Sequence, residues 1–391
     1  MPMRKTVCAL MSGCVAVMAL AAPALACTTL RYFDAANRLY LGRTLELAAA
    51  LPYQLVYFPA GQKFKSDEVS GHPSLNYQSR YAIFGIAFPD VSPGGKAKIA
   101  LNDLKLIDGI NEAGLSFALL AYPNVNGPQK QIEKTRAILA AVDLGTWTLG
   151  QFASAADVRQ ALARQPAMLA PIRALGGAEG PFHFIVYDRT GASIVIEFNK
   201  GKETVYENPV GVMTNGPQFS WHLTNLNNYT HLSNIDKSSG SFGGFKVKQP
   251  DSGISTAGLP ASDTSVGRFV RAAFYSTYTQ KAKTPDQAVR TLAHVMNNFD
   301  RPIGISINKS GGEGDTLDKG LGITGESEYT TWTRLADLER LRFFVRDYTA
   351  LNYTMFELGK LRTTKKPAVI PLAAFIDKPD GTSAVMDAAG K

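Results

Sequence analysis

The chain is 391 residues long, 45% hydrophobic and 19% charged, with a formal net charge of +8. This is the composition of a globular protein with a sizeable core, and it excludes a disordered or low-complexity chain. Basic residues are interspersed rather than gathered in a block, which excludes a nucleic-acid footprint, and no run reaches the roughly 18 consecutive apolar residues of a membrane helix.

The first 26 residues read as a secretory leader. Arg4 and Lys5 open it, an apolar run extends from about Val7 to Leu20, and Ala24-Leu25-Ala26 is a small-x-small cleavage site. Cleavage after Ala26 predicts a periplasmic or secreted protein. Of the three cysteines, Cys8 and Cys14 lie in the leader, so Cys27 becomes both the first residue and the only thiol. Exported proteins normally pair their cysteines. A single thiol there is a liability unless it is buried or has a job.

Downstream, Thr28–Phe33 and Arg38–Arg43 flank the turn-forming Asp34-Ala35-Ala36-Asn37 and read as a β-hairpin that brings Arg43 beside Cys27. Further strands are expected at Tyr53–Phe58, Tyr81–Phe88, Leu106–Asn111 and Leu115–Tyr122. Apolar spacing predicts a helix over Gln131–Gly150, and Ser154 is placed to cap a second one through Arg164. Phe182–Tyr187, Ala192–Phe198 and Thr204–Tyr206 form a meander around Gly-containing turns, and Ser238–Ser262 reads as a long loop or lid. Helices follow at Asp263–Thr279 and, from the Thr284 cap and Pro285, through Asn297; Tyr329–Leu335 and Leu341–Val345 make a late hairpin. Strands in hairpin-like groups bracketing helical pairs predict an α+β fold: one domain over residues 27–391, stacked antiparallel sheets with helices outside. Residues 363–391 read as an extended, loosely held arm.

The scattered histidines (His72, His183, His222, His231 and His294) carry no metal-ligand spacing, so neither a metal nor another cofactor is expected, and each reads best as a surface or satisfied core residue. Ser306-Ile307-Asn308-Lys309 matches an S-x-x-K pattern without its companion motifs. Cys27 is the stronger nucleophile. At a free N-terminus it would carry its own general base, an α-amine of pKa about 7.7–8.0. A thiol of ordinary pKa, about 8.5, is already partly ionised near neutrality and needs little further activation.

The segments C-T-T-L-R-Y at Cys27, G-R-T-L-E at Gly42–Glu46, D-G-I-N-E-A-G-L at Asp108–Leu115, M-T-N-G-P-Q-F at Met213–Phe219 and R-F-V-R-A-A-F at Arg268–Phe274 occur in the order and spacing of one family. The chain resembles the choloylglycine hydrolase / penicillin V acylase family of N-terminal-nucleophile amidohydrolases, and its leader and G-R-T-L-E variant resemble the Gram-negative branch. The resemblance implies an αββα sandwich, a small-molecule amide substrate and, in many members, a homotetramer. It implies Cys27 as nucleophile, Arg43 as the cation beside it, Asn215 as an oxyanion donor through its side-chain amide, and Arg268 in the charge network. Glu46 stands where the family commonly has an Asp that orients the amine. Ala121 stands where it has Asn, Tyr or Trp before the Tyr122-Pro123 loop, so Ala121 and Tyr122 are placed at the oxyanion and acyl side. Implied substrates are penicillin V-like amides and long-chain N-acyl homoserine lactones, with conjugated bile salts as the alternative.

A cysteine after a leader is also the pattern of a lipoprotein, in which acylation of Cys27 would remove the base and leave a membrane-anchored binding protein. Such leaders favour a branched apolar residue three before the cysteine. Ala24 occupies that place.

Overall fold

The computed structural model describes residues 26–49, 51–92, 99–125, 127–307, 327–375 and 378–390. The chain enters on β1 (Cys27–Phe33) and returns on β2 (Leu39–Leu47). Asp34 makes that turn, its Oδ1 accepting the N–H groups of Ala36 and Arg38 while Asn37 takes a φ of 60°. The two strands pair antiparallel, with Cys27 opposite Leu45 and Thr29 opposite Arg43. β2 runs four residues past Arg43, and all nine of its residues are buried. Both its faces are covered, which is why its apolar residues do not alternate.

Around this hairpin a six-stranded sheet forms in the order Val212–Met213, β1, β2, Tyr329–Asp337, Arg342–Asp347, Thr354–Glu357. An eight-stranded sheet packs against it, in the order Lys202–Glu207, Ser193–Asn199, Phe182–Tyr187, Ser116–Ala121, Leu104–Asn111, Ile83–Pro89, β3 (Gln54–Phe58), Ala368–Pro371. Neighbours in both sheets are antiparallel. Helices α1 (Leu144–Gln151) and α2 (Ala155–Leu162) cover the larger sheet; α4 (Ser265–Tyr278) and α5 (Pro285–Asn297) cover the smaller. The short α3 (Phe219–Asn225) follows Val212–Met213. The result is the expected α+β sandwich. Two glycines let helix and sheet approach closely: a Cβ on Gly42 would collide with Met296 of α5, and one on Gly145 of α1 would lie 2.7 Å from the Leu106 carbonyl oxygen.

The cap signals hold. Ser154, Thr264 and Thr284 each accept a first-turn N–H with their side chain. Three expectations need correction. Of Gln131–Gly150 only the part from Leu144 is α-helical, and seven of the eight residues of α1 are buried. Burial on all sides erases the amphipathic signal, while residues 131–137 run as exposed coil and turn. The Ser238–Ser262 segment is not without structure: Ser239–Phe242 and Phe245–Lys248 form an exposed hairpin. The segment after residue 363 is not a loose arm. Ala368–Pro371 pairs with β3 at the sheet edge, and Leu372, Phe375 and Val385 are buried beyond it. Several of its apolar residues point inward, which a polar, proline-dotted composition conceals.

Candidate active site

Cys27 begins β1 at the inner face of the smaller sheet and is 3% exposed. It is a free cysteine. Burial pushes its thiol up by more than the Arg43 guanidinium pulls it down, and the Glu46 carboxylate pushes it further up. The expectation of a thiol already part-ionised therefore fails. A base is required to take its proton.

The sulfur side is built by Arg43, which reaches from β2 across the sandwich. One guanidinium nitrogen donates to the Ile107 carbonyl at 2.8 Å and to Asp108 Oδ2 at 2.9 Å. The other donates to the Leu119 carbonyl and lies 4.0 Å from Cys27 Sγ. The Trp332 ring lies 4.9 Å from the guanidinium carbon. Arg334 grips the same carboxylate, its Nε 2.6 Å from Asp108 Oδ1 and a terminal nitrogen 2.8 Å from Oδ2. All three side chains are fully buried. Two cations sharing one anion leave a surplus positive charge beside the sulfur, which favours a thiolate over a thiol.

The nitrogen side is built by Asn215 and Arg268. The Cys27 N–H donates to Asn215 Oδ1 at 2.7 Å, and an Arg268 terminal nitrogen donates to the same atom at 2.9 Å. Two donors converging on one atom fix it as the amide oxygen. The Asn215 amide nitrogen donates to the Ala121 carbonyl at 2.9 Å, which engages one of its two hydrogens. Arg268 also donates to the Cys27 carbonyl and to Thr28 Oγ1 at 2.7 Å. Its Nε donates to the Asp263 carbonyl at 2.9 Å, so the side chain is locked.

Glu46 makes no hydrogen bond to the Cys27 nitrogen, which donates to Asn215 instead. Its carboxylate is fully buried, Oε1 accepts from Thr330 Oγ1 at 3.3 Å, and Oε2 has no hydrogen-bond partner among the described residues. Asn215 rather than Glu46 holds the Cys27 nitrogen. The Glu46 backbone N–H donates to the Ala26 carbonyl at 2.8 Å, so removing Ala26 frees that donor. Burial raises the Glu46 carboxyl to about 7, against the pull of Arg268. Tyr122 also departs from expectation. Its N–H donates to the Pro181 carbonyl at 2.6 Å, and its hydroxyl donates to Asn199 Oδ1 at 2.5 Å. It turns away from Cys27 and lines neither cavity beside it.

Those cavities differ in character. On the sulfur side, a small cavity of about 60 Å³ is lined by Cys27, Leu45, Leu47, Tyr53, Phe88, Leu175 and other apolar side chains. On the nitrogen side, a cavity of about 460 Å³ is lined by Ala26, Asn215, Asp263, Arg268, Arg301 and Glu328 among others. Ala121 forms part of both walls. Ser306 of the S-x-x-K pattern lies on the polar wall, while Asn308 and Lys309 fall outside the described residues. Among the described residues no group of three His, Cys, Asp or Glu could hold a metal ion. The sequence reading missed Asp108 and Arg334, although Asp108 opens a quoted motif. Nothing local marks an arginine in a Thr-rich strand as buried.

The arrangement is a buried thiol with a cation at its sulfur, a fixed amide at its nitrogen, an apolar cavity on one side and a polar one on the other. Residues 27–366 match the family model described as linear amide C–N hydrolases, choloylglycine hydrolase family. The match begins at Cys27. The chain is 28% identical over 342 residues to a bile salt hydrolase/transferase of Lactiplantibacillus plantarum, covering 87% of this chain and 95% of that protein. It is 26% identical over 368 residues to a penicillin V acylase of Pectobacterium atrosepticum, covering 92% and 87%. The fold matches a variant of the conjugated bile acid hydrolase from Clostridium perfringens with a TM-score of 0.71 at 22% identity, over 88% of this chain and 96% of that one. The chain belongs to the choloylglycine hydrolase family and is a hydrolase of carbon–nitrogen bonds in linear amides.

Proposed function

We propose that the chain is an exported N-terminal cysteine amidohydrolase. It cleaves a linear, non-peptide amide with an apolar acyl group, as in penicillin V or an N-acyl homoserine lactone. Loss of residues 1–26 turns the Cys27 nitrogen into an α-amine. That amine takes the thiol proton, and the thiolate attacks the substrate carbonyl. The C–N bond breaks as the ammonium returns its proton to the leaving nitrogen, and the acyl group stays on sulfur as a thioester. Water, deprotonated by the same amine, then releases the acid and restores the thiol.

Arg43 stabilises the thiolate in this scheme. Asn215 Oδ1 and Arg268 aim the amine, and the second Asn215 N–H, with the Ala121 backbone N–H, serves the oxyanion. The free Glu46 Oε2 accepts from the α-ammonium, so Glu46 stands in for the shorter acid through Coulomb attraction and proton sharing.

One observation carries the reading. Cys27 turns its sulfur to an apolar cavity and its nitrogen to Asn215. The cavity lining also supports the choice of substrate. Among the described residues lining it, the Tyr53 hydroxyl is, apart from the thiol, the only polar side-chain group, so a hydroxylated ring system would bury oxygens without partners at a cost of about 1–3 kcal/mol each. The alternative, hydrolysis of conjugated bile salts, is favoured by the names of several curated relatives. Product release from penicillin V, a long-chain acyl homoserine lactone, and glycine- and taurine-conjugated bile acids, compared as kcat/KM, decides between them. A preference for the bile conjugates overturns the apolar-acyl reading.

Intact mass and N-terminal sequencing test the rest. A free Cys27 is expected, whereas an acylated one would make the protein a lipoprotein and not this enzyme. A non-cleavable leader should abolish turnover. The homotetramer implied by the resemblance is tested by light scattering on the mature protein.

A further inference from the structure

Two histidines with nothing in common in the sequence meet behind the Thr214–Asn215 turn. His183 and His222 are 1% and 2% exposed. His183, on the Phe182–Tyr187 strand, places Nε2 2.9 Å from the Thr214 carbonyl oxygen and Nδ1 3.1 Å from Glu197 Oε1. His222, on α3, places Nε2 3.0 Å from the Asn215 carbonyl oxygen. Both rings are clamped. His183 stacks on Tyr122 at 4.8 Å between centroids, and His222 on Phe269 at 4.5 Å. Phe269 follows Arg268, and Tyr122 follows the Ala121 carbonyl that holds the Asn215 amide. Glu197 also accepts the Phe219 N–H at 2.9 Å, which ties α3 to the same network.

The chain leaves its strand after Met213. Thr214 and Asn215 are 0% and 6% exposed, so their carbonyls need partners other than water. The two rings supply them. A carbonyl accepts, so each Nε2 must carry the hydrogen. Burial holds the His222 ring neutral by lowering it to about 4, which leaves Nε2 as its single donor site and Nδ1 bare.

We propose that His183 and His222 are positioning residues: by holding two consecutive carbonyls they aim the Asn215 side chain at the Cys27 nitrogen. The proposal rests on the reading of that nitrogen as the catalytic base. The Asn215 Oδ1 contact is 2.7 Å long. A rotation of either peptide would swing it out of hydrogen-bond range, and a misplacement of about 1 Å costs on the order of 100-fold in rate.

The test uses the mature enzyme with His222→Leu and His222→Gln, read by steady-state kinetics and by the pH dependence of iodoacetamide alkylation. Cys27 is the only thiol once the leader is gone, so alkylation reports that residue alone. His222→Leu is expected to lower kcat about 10- to 100-fold with little change in KM, and to shift the alkylation profile. His222→Gln keeps an N–H donor and should recover most of kcat and the native profile. The proposal is overturned if the Leu variant keeps native kcat and profile, or if Gln and Leu lose equally at matched melting temperatures. Should the Leu variant not fold, His222→Asn, too short to reach the carbonyl, takes its place with the same two readings. Cys27→Ala runs beside them: turnover surviving there refutes the reading of the site itself, whatever the histidine variants do.

Discussion

Two buried charge clusters branch from one strand, Leu104–Asn111, and their difference is instructive. Asp108 faces the space between the sheets, where it joins Arg43 and Arg334 at 2.6–2.9 Å. Lys105, three residues earlier on the same strand, joins Asp67 and Asp143 at 2.9 and 2.8 Å. The geometries are alike but the surplus charges are opposite. Around Lys105 the excess is negative and partly solvated, since the Asp67 side chain is 26% exposed. Burial pushes the Asp143 carboxyl up against the pull of Lys105, and Asp143 also takes the Ser66 hydroxyl and the Asp67 N–H. That cluster pins a loop to the start of α1. Around Asp108 the excess is positive and fully dry, a costly arrangement unless a further anion can form next to it. Cys27 Sγ lies 4.0 Å from Arg43, at the place where the proposed thiolate would form.

The largest expected effect is on the sulfur itself. Cys27→Ala should lower kcat by at least about 1000-fold with the fold intact by circular dichroism. Near-native turnover would leave the dry cluster without a chemical purpose. Arg43→Met comes next. Losing the adjacent cation should cost about 100-fold in kcat and move the alkylation pH profile of Cys27 upward; an unmoved profile contradicts the electrostatic role.

Asp108→Asn and Asp143→Asn set the two clusters directly against each other. The first leaves two buried arginines without their counter-ion and should destabilise by about 3–5 kcal/mol in urea titrations. It should also move the thiol profile downward, because the positive surplus grows. The second leaves Lys105 with Asp67, should cost about 1–3 kcal/mol, and should leave the thiol profile alone. If both variants shifted the profile alike, the distinction drawn here would collapse.

The last effect is a pH dependence and concerns Glu46. Its folded-state value of about 7 lies above the ordinary glutamate range near 4.3. The folded chain therefore binds this proton more tightly than the unfolded one. The group's contribution is complete below about pH 4.3 and is lost as the pH rises towards 7, by up to about 3 kcal/mol. Glu46→Gln should flatten the decline of melting temperature over that window, and an identical slope in the variant would show that the carboxyl is not held this way.

Much of the fold was legible because its signals are local. Asp34 and Asn37 mark the first turn, Ser154 and Thr284 cap helices, and Gly191 and Gly201 punctuate the meander at positive φ. The start of α1, expected at Gln131, was misplaced and the edge strand Ala368–Pro371 was missed, because neither shows a period that distinguishes one face from the other. At the site, Cys27 could be found by counting thiols and Arg43 by the hairpin. Asp108 and Arg334 are charged residues in strands whose burial no neighbour in sequence announces. His183 and His222, read one at a time as surface or satisfied core residues, are buried, and their partners lie in the turn that carries Asn215.

By itself the sequence determined Cys27 as the one cysteine beyond residue 26, the hairpin that begins with it and the family order of its motifs. These are properties of composition and short-range geometry, which a linear chain carries on its face. Only the tertiary structure decided that the thiol is buried and held up in pKa, that Asn215 rather than Glu46 holds its nitrogen, and that Arg43 shares Asp108 with Arg334. Each depends on groups from distant strands meeting where water is excluded, and it is the exclusion of water that turns a position into a charge state.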